Sequence, residues 1–213
     1  MPEKPVIGII GGTGDLGSGL AKAWTAAGYQ VVIGSRSPEK AKAFAGELGN
    51  LARGSDNLGA AAAADVVVLA VPFASHATTL EEIKPALQGK ILVDAVVPLV
   101  PPKVSTVQLP DGGSAAQIAQ RQLGDGVRVV SAFHNVGASK LHAGGRADCD
   151  VLVFSDDKEA RDAVIELAGV VANRGIGGGV LANSAAAEAL TSVLISINRT
   201  YKVSGAGIAI TGL

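Results

Sequence analysis

The chain has 213 residues, 48% hydrophobic and 17% charged, which is enough for one domain with a substantial core and too apolar for a disordered segment. Eighteen basic residues against 19 acidic ones leave a net charge of −1, so no overall field recruits nucleic acid or an acidic membrane surface. A single cysteine, Cys149, excludes an internal disulfide and a zinc cluster by count.

The N-terminal stretch MPEKPVIGIIGG holds a short apolar run broken by glycines, which reads as a strand over 5–10 rather than as the core of a leader. No segment approaches the length of a spanning helix, so the protein is expected to be soluble and cytoplasmic, without membrane or nucleic-acid partners. Directly after the strand, Gly12-Thr13-Gly14-Asp15-Leu16-Gly17 fits G-x-G-x-x-G and opens a helix over 15–27. In this pattern the first glycine permits a tight turn, the second lets backbone approach a pyrophosphate, and the third lets helix and strand pack closely. Free N–H groups and the positive end of the helix dipole then make an anion site. Asp15 suits the first turn of a helix electrostatically and is read as a cap or a ligand contact.

A second apolar run, 29–34, ends at Gly34-Ser35-Arg36. An NAD site would place an acid about here to take the ribose hydroxyls, and there is none. Ser37 and Pro38 form a helix start for 38–48, which puts Lys40 in the first turn, where the dipole disfavours a cation. Ser35, Arg36 and Lys40 together fit the 2′-phosphate of NADP, which an arginine fork grips and a carboxylate would repel.

The alanine run 60–64 reads as a short helix ending at Asp65, followed by a strand over 65–71, a helix over 75–87 and a strand over 90–96. Residues 97–113 carry four prolines and are expected to form a long loop without regular structure. A helix over 114–123, strands over 127–133 and 151–154 and a helix over 157–172 continue the alternation. The last helix spans 183–201, with Ala187, Leu190, Leu194, Ile197 and Tyr201 on one face, and a glycine-rich tail closes the chain. The order βαβα with near-continuous Val, Ile and Leu strands predicts an α/β, Rossmann-type doubly wound fold. Its sheet is mainly parallel, with helices on both faces and a small C-terminal helical extension. The whole chain, 1–213, is expected to be a single domain, with 183–213 serving the second cofactor site or a homodimer contact.

No Ser-His-Asp set and no metal cluster stands out. His76 and His134 each follow a predicted strand, where ligands of open α/β sheets bind, and are candidate cofactor contacts; His142 lies outside any motif. For both candidates the competing reading is a loop histidine satisfied by backbone.

The segments GGTGDLGSGLA, GSRSPEKA, VVVLAVPFASHA, SAAQIA, VVSAFHNV and LANSAAAEALTSVLISINR resemble, in this order, the NADPH-dependent reductases of coenzyme F420, an 8-hydroxy-5-deazaflavin. The resemblance implies direct hydride transfer between nicotinamide and deazaflavin, with NADP(H) and F420 as cofactor and co-substrate and no catalytic side chain beyond a positioning role for His134. It implies that Thr13, Ser35, Arg36 and Lys40 hold the adenine-ribose phosphate, that Val71, Pro72 and Phe73 flank the nicotinamide, and that the rings meet at His134, Val136, Gly137 and Ala138. Lys103, Lys140 and Arg199 are candidate contacts for the anionic tail of the deazaflavin. The chain departs from the family pattern at Phe73, where a bulkier aromatic is expected, and at Gly137, where a proline is expected and glycine should loosen the loop. Competing readings are a flavin or ferric reductase, an imine or hydroxyacid dehydrogenase, and a non-catalytic NADP-binding redox sensor.

Overall fold

A computed structural model describes residues 4–142 and 146–213; the first three residues of the N-terminal stretch and residues 143–145 lie outside it. The apolar runs form β1 (Ile7–Ile10), β2 (Val31–Gly34), β4 (Val66–Leu69), β5 (Ile91–Asp94) and β6 (Arg128–Ser131). Two further strands close the far side, β7 (Ala147–Phe154) and β8 (Ala172–Gly179), and β3 (Ala52–Ser55) lies at the opposite edge. All eight belong to one sheet in the order β3-β2-β1-β4-β5-β6-β7-β8. Pairing is parallel from β3 to β6, antiparallel at the single β6–β7 pair Ser131 with Phe154, and parallel again between β7 and β8.

Among the described residues eight α-helices accompany the sheet: α1 (Asp15–Ala26), α2 (Pro38–Leu48), α3 (Asn57–Ala62), α4 (His76–Ile83), α5 (Ala115–Leu123), α6 (Ala138–His142), α7 (Lys158–Val171) and α8 (Ser184–Tyr201). Strands buried on both faces need cover on both, and the helices supply it in two layers. Leu20 and Trp24 of α1, Ala41 and Ala45 of α2 and Val164 and Leu167 of α7 pack with Ile7, Ile9, Val31, Ile33 and Val68. On the other face Ala60 of α3, Leu80 and Ile83 of α4 and Ala119 and Leu123 of α5 pack with Ile10, Val32, Val67, Leu69 and Leu92. The alternation along β1, with Ile9 on one side and Ile10 on the other, is the pleat dividing them.

Several elements differ from the sequence expectation. Strand β3 reads ARGS and β8 reads ANRGIGGG, and neither carries the branched apolar run by which the inner strands were recognised. Both sit at edges of the sheet, where one side needs no partner and less apolar surface is buried. The strand expected at 151–154 begins earlier, at Ala147. The helix expected over 75–87 is broken into a 3-10 turn at Phe73–Ser75, α4, and a second 3-10 turn at Lys84–Ala86 around Pro85. The alanine-run helix starts earlier, capped by Asp56 on the Gly59 amide at 2.6 Å, and ends at Ala62. Residues 97–113 hold no helix or strand, as expected from their prolines. The last helix forms as expected, but its apolar face covers the core only as far as Leu194: Ala187 and Leu194 are buried, whereas Ile197 and Tyr201 are exposed. No helix among the described residues is long and apolar enough to cross a membrane.

Trp24 is the largest fully buried side chain. Its indole N–H donates to the carbonyl of Leu167 on α7 at 3.1 Å, and its ring stands edge-on to Phe133 with centroids 5.7 Å apart. Trp24→Ala should cost about 3–5 kcal/mol, the range for deleting a large buried aromatic. Trp24→Phe should cost less, chiefly the carbonyl left without its donor. Urea unfolding midpoints of the two variants against the parent chain give the comparison.

Candidate functional site

The register puts the strand ends in one rank: Gly34, Ile10, Leu69, Asp94 and Ser131 are successive partners across five strands. The residues just beyond them form a continuous edge, and the chain reverses direction across the sheet between β1 and β4. That is the switch point at which ligands of doubly wound sheets bind.

On the left half of this edge the glycine loop turns at Gly11, one residue before the Gly12 to which the spacing assigns the tight turn. Gly11 has φ +78°, and the amides of Gly11 and Gly12 both donate to the carbonyl of Gly34 at 3.1 and 3.0 Å. A Cβ on Gly17 would stand 2.5 Å from the Gly11 carbonyl oxygen, so any side chain there would push α1 off the loop. Gly14 is the N-cap of α1 and provides no side-chain cap, which leaves the first amides of the helix free for an anion. Asp15 is the first helical residue, not the cap: its side chain makes no capping bond, and its carbonyl accepts from His142 Nε2 at 2.9 Å. Leu16 is half-buried against the core.

The end of β2 stands beside this loop. Ser35 Oγ accepts the Ser37 amide at 3.2 Å and lies 3.4 Å from Thr13 Oγ1, so the two predicted phosphate hydroxyls are brought together. Ser37 caps α2 through the Lys40 amide at 3.4 Å, with Pro38 following. Arg36 and Lys40 are exposed, and neither forms an ion pair among the described residues. A cleft of about 210 Å³ is lined by Gly11, Thr13, Gly14, Ser35 and Arg36 on one side and by Ala70, Val71, Pro72, Ser75 and Thr79 on the other. Asn57 also lines it, and its Oδ1 is buried with no hydrogen-bond partner. Thus Thr13, Gly14, Ser35, Arg36, Val71 and Pro72 share one cavity; Lys40 lies outside its lining.

The right half of the edge is closed and polar. Asp94 is fully buried; its Oδ2 lies 2.7 Å from His76 Nε2, and its Oδ1 accepts the Val96 amide at 3.0 Å. His76 is therefore no cleft residue: it is 1% exposed and satisfied by a carboxyl, with Phe73 stacked at 6.0 Å on its outer side. His134 Nε2 lies 3.2 Å from the Asp94 carbonyl and 3.3 Å from Ser131 Oγ. Burial pushes the His134 imidazole down to about 4, against a smaller opposing pull from Asp94.

Glu188 joins this cluster from α8. Its carboxyl receives the amides of Ala115 at 2.6 Å and Ala116 at 3.2 Å, the free N–H groups at the start of α5. Burial, and secondarily Asp94, push Glu188 up to about 7, although those amide bonds favour its charged form. Ser184 and Ser114 complete the joint with a 2.8 Å hydrogen bond.

Beyond β6, His134, Val136 and Gly137 line a second cavity of about 150 Å³ together with Thr191, Leu194 and Asn198 of α8 and Gly205 and Ala206 of the tail. Ala138 begins α6. Gly137 does not loosen the loop. A Cβ there would stand 2.5 Å from Gly205 Cα, so the glycine is required by the close approach of the tail. Of the proposed basic contacts, Arg199 is already engaged, donating to Ser105 Oγ at 2.9 Å, while Lys103 and Lys140 are exposed. Among the described residues no group of His, Cys, Asp or Glu could hold a metal. Burial, followed by the charges of Asp150 and Asp148, raises the Cys149 thiol to about 11, so it is unreactive.

The residues that sequence reasoning missed are Asp94, Glu188, Asn57, Asn135 and Thr191. Two carried a signal: Asp94 is the lone acid in the apolar run KILVDAV, and Glu188 the lone acid in the helix LANSAAAEALTSVLISI.

The family model described as "NADP oxidoreductase coenzyme F420-dependent" matches residues 6–98. The F420-dependent NADP reductase of Methanothermobacter marburgensis is 41% identical over 97% of this chain and 98% of its own. A solved structure from Arthrobacter sp. FB24, assigned as an F420-dependent NADP reductase, superposes with TM-score 0.84 at 26% identity, covering 98% of this chain and all of its own. The metalloreductase STEAP3 of Rattus norvegicus is 32% identical over 88% of this chain, which spans only 36% of that protein.

The two buried groups bend stability with pH in opposite senses. His134 is depressed on folding, so its contribution is lost as pH falls from about 6.5 towards 4. Glu188 is raised, so its contribution is present at low pH and lost as pH rises from about 4.5 through 7. In the parent chain the two slopes cancel over the shared window. Thermal melts between pH 4 and 8 should show Glu188→Gln gaining stability steadily up to pH 6.5, and His134→Asn losing it from pH 4.5 to 7, each by roughly 1–3 kcal/mol. Parallel profiles for all three chains would contradict this assignment.

Proposed function

The chain belongs to the F420-dependent NADP reductase family, and on that premise we propose that it transfers a hydride directly between NADP(H) and the deazaflavin coenzyme F420. NADPH would supply the hydride from nicotinamide C4, and the deazaflavin would take it up at C5. Everything left to the protein is then binding, orientation and exclusion of water.

The observation that carries the NADP part of this reading is the pair of free cations beside the glycine loop. Arg36 stands at the rim of the cleft with no acid paired to it among the described residues and no acid at the end of β2 to compete for the ribose. Ser35 and Thr13 offer hydroxyls 3.4 Å apart beside it, and the amides at the start of α1 are uncapped. These groups fit two separate phosphates: backbone amides for the pyrophosphate and the Ser35-Arg36-Lys40 corner for the 2′-phosphate. Val71 and Pro72, at the mouth of β4, offer an apolar edge for the nicotinamide ring. His134, neutral across the physiological range because it is buried, would position the next loop without exchanging a proton with the reactants.

A homodimer is part of the same proposal. Val193, Ile197 and Tyr201 are 42%, 36% and 72% exposed along α8, an apolar strip that a second copy would cover. Tyr201→Asp should lower the mass seen in sedimentation to that of the monomer. Cytoplasmic placement is proposed with it.

Two measurements test the central reading. Purified protein mixed with NADPH and oxidised F420 should bleach the deazaflavin absorbance, and should leave free flavin and ferric chelates unreduced. Arg36→Asp should weaken NADPH binding by about 10- to 100-fold, the loss expected for hydrogen bonds to a charged group, while NADH binding changes little or improves. Unchanged NADPH affinity in that variant would falsify the phosphate corner.

A further inference from the structure

Phe133 has φ +70°, a left-handed conformation that residues bearing a Cβ rarely adopt. The neighbouring fold must therefore hold it there. The backbone turn it opens is closed only by a long bond, the Val136 amide to the Phe133 carbonyl at 3.4 Å. The holding force comes from elsewhere. The Phe133 ring is buried against Trp24, and His134 is fixed by the ends of β5 and β6. The third point is Asn135, itself 6% exposed, whose Nδ2 donates to the Ala187 carbonyl at 2.9 Å and to Thr191 Oγ1 at 3.4 Å. Thr191 Oγ1 in turn donates to the His134 carbonyl at 2.9 Å.

These bonds join the loop after β6 to α8 across 52 to 57 residues of sequence. The helix they reach is fixed independently, because Glu188, between the two contact points, and Ser184, a turn before it, are bonded to the start of α5. The clamp therefore refers the loop to the main sheet through a rigid body and does not let the two drift together. What the clamp governs is the segment immediately beyond it. Val136, Gly137 and Ala138 are half-buried, and their direction follows from the bend at Phe133 and the anchor at Asn135.

We propose that Asn135, with Thr191, is a positioning residue for hydride transfer: it sets the pose of Val136–Ala138 by holding the strained bend at Phe133. This rests on the reading that the two rings meet at that segment. The chemistry asks for it, since a direct transfer without a catalytic side chain depends on distance and angle. A misplacement of about 1 Å costs on the order of 100-fold.

The test uses Asn135→Ala, Thr191→Val and Thr191→Ser in the full chain. The last keeps the hydroxyl and should behave as the parent does. Three quantities are read: NADPH dissociation constant, F420 reduction with NADPH deuterated at the transferred position, and amide hydrogen exchange without cofactor. For Asn135→Ala and Thr191→Val we expect kcat to fall about 10- to 100-fold, with NADPH affinity within about twofold of the parent. The primary isotope effect on kcat should rise as the chemical step becomes limiting. Exchange should quicken over 133–138 while β1, β4 and β5 keep their protection.

Unchanged kcat and isotope effect in both variants would overturn the proposal. So would exchange that quickens equally across the whole sheet, because Asn135 would then serve only global stability. If the parent chain reduced no F420 at all, the functional reading would fail instead, and the exchange data would still decide whether Asn135 holds the bend.

Discussion

Where five parallel strands end in one rank, the next peptide groups are still buried but have lost part of their ladder, and buried backbone polar groups must be paired. This chain answers that constraint in two ways. On the β1–β2 side it relies mainly on main chain: Gly34 offers one carbonyl to the amides of both Gly11 and Gly12, only the short Ser35 side chain adds a bond, to the Ser37 amide, and the edge stays open. On the β5–β6 side it uses side chains. The Asp94 carboxyl takes the Val96 amide, its carbonyl is shared by the Ala132 amide and His134, and the edge is sealed. The open half borders the cleft lined by Thr13, Ser35 and Arg36, and the sealed half stands beside it.

The sealed half is costly to build, since burying a carboxyl without partners is strongly unfavourable. Each carboxyl here is offset by specific donors: Asp94 by His76 and the Val96 amide, Glu188 by the first amides of α5 and by Ser184. Glu188 does more than satisfy itself. A cap supplied in cis, as Ser37 is for α2, fixes only its own helix, whereas Glu188 caps α5 from α8 and welds an appended helix onto the sheet domain. Its last turns, with Ile197 and Tyr201 exposed, are free of that task.

How much of this was legible in the sequence follows the range of each interaction. The inner strands, the glycine loop and the Ser37-Pro38 helix start are all set by neighbours within a few residues, and the sequence predicts each of them. Strands β3 and β8 are not legible because their stability comes from partners. Gly175 lies against the Ile165 carbonyl of α7, and Gly178 lies against the Phe154 ring, so close that neither leaves room for a side chain. A glycine-rich run looks like a loop until α7 and β7 are in place. The same holds in the site. Ser35, Arg36 and Lys40 lie close together in the chain and stand out as candidates from the sequence; the Asn135–Ala187 and Glu188–Ala115 bonds join residues 52 and 73 apart and do not. Gly137 was misjudged for the same reason, since its tightness comes from Gly205.

The two halves of the edge also explain why a left-handed phenylalanine can persist beside the open cleft. Strain relaxes wherever the surroundings yield, so a bend of this kind needs walls on every side. Trp24, itself hydrogen-bonded to α7, forms the inner wall; Asp94 and Ser131, through His134, form the lateral one; and α8, held by Glu188, forms the outer one. Each wall belongs to a different part of the fold, and none is contributed by the glycine loop. The segment beyond the bend is therefore held by the fold itself, while the cleft beside the glycine loop stays open. For a reaction that asks the protein chiefly for geometry, that separation places the reorganisation cost in folding and keeps it out of the catalytic cycle.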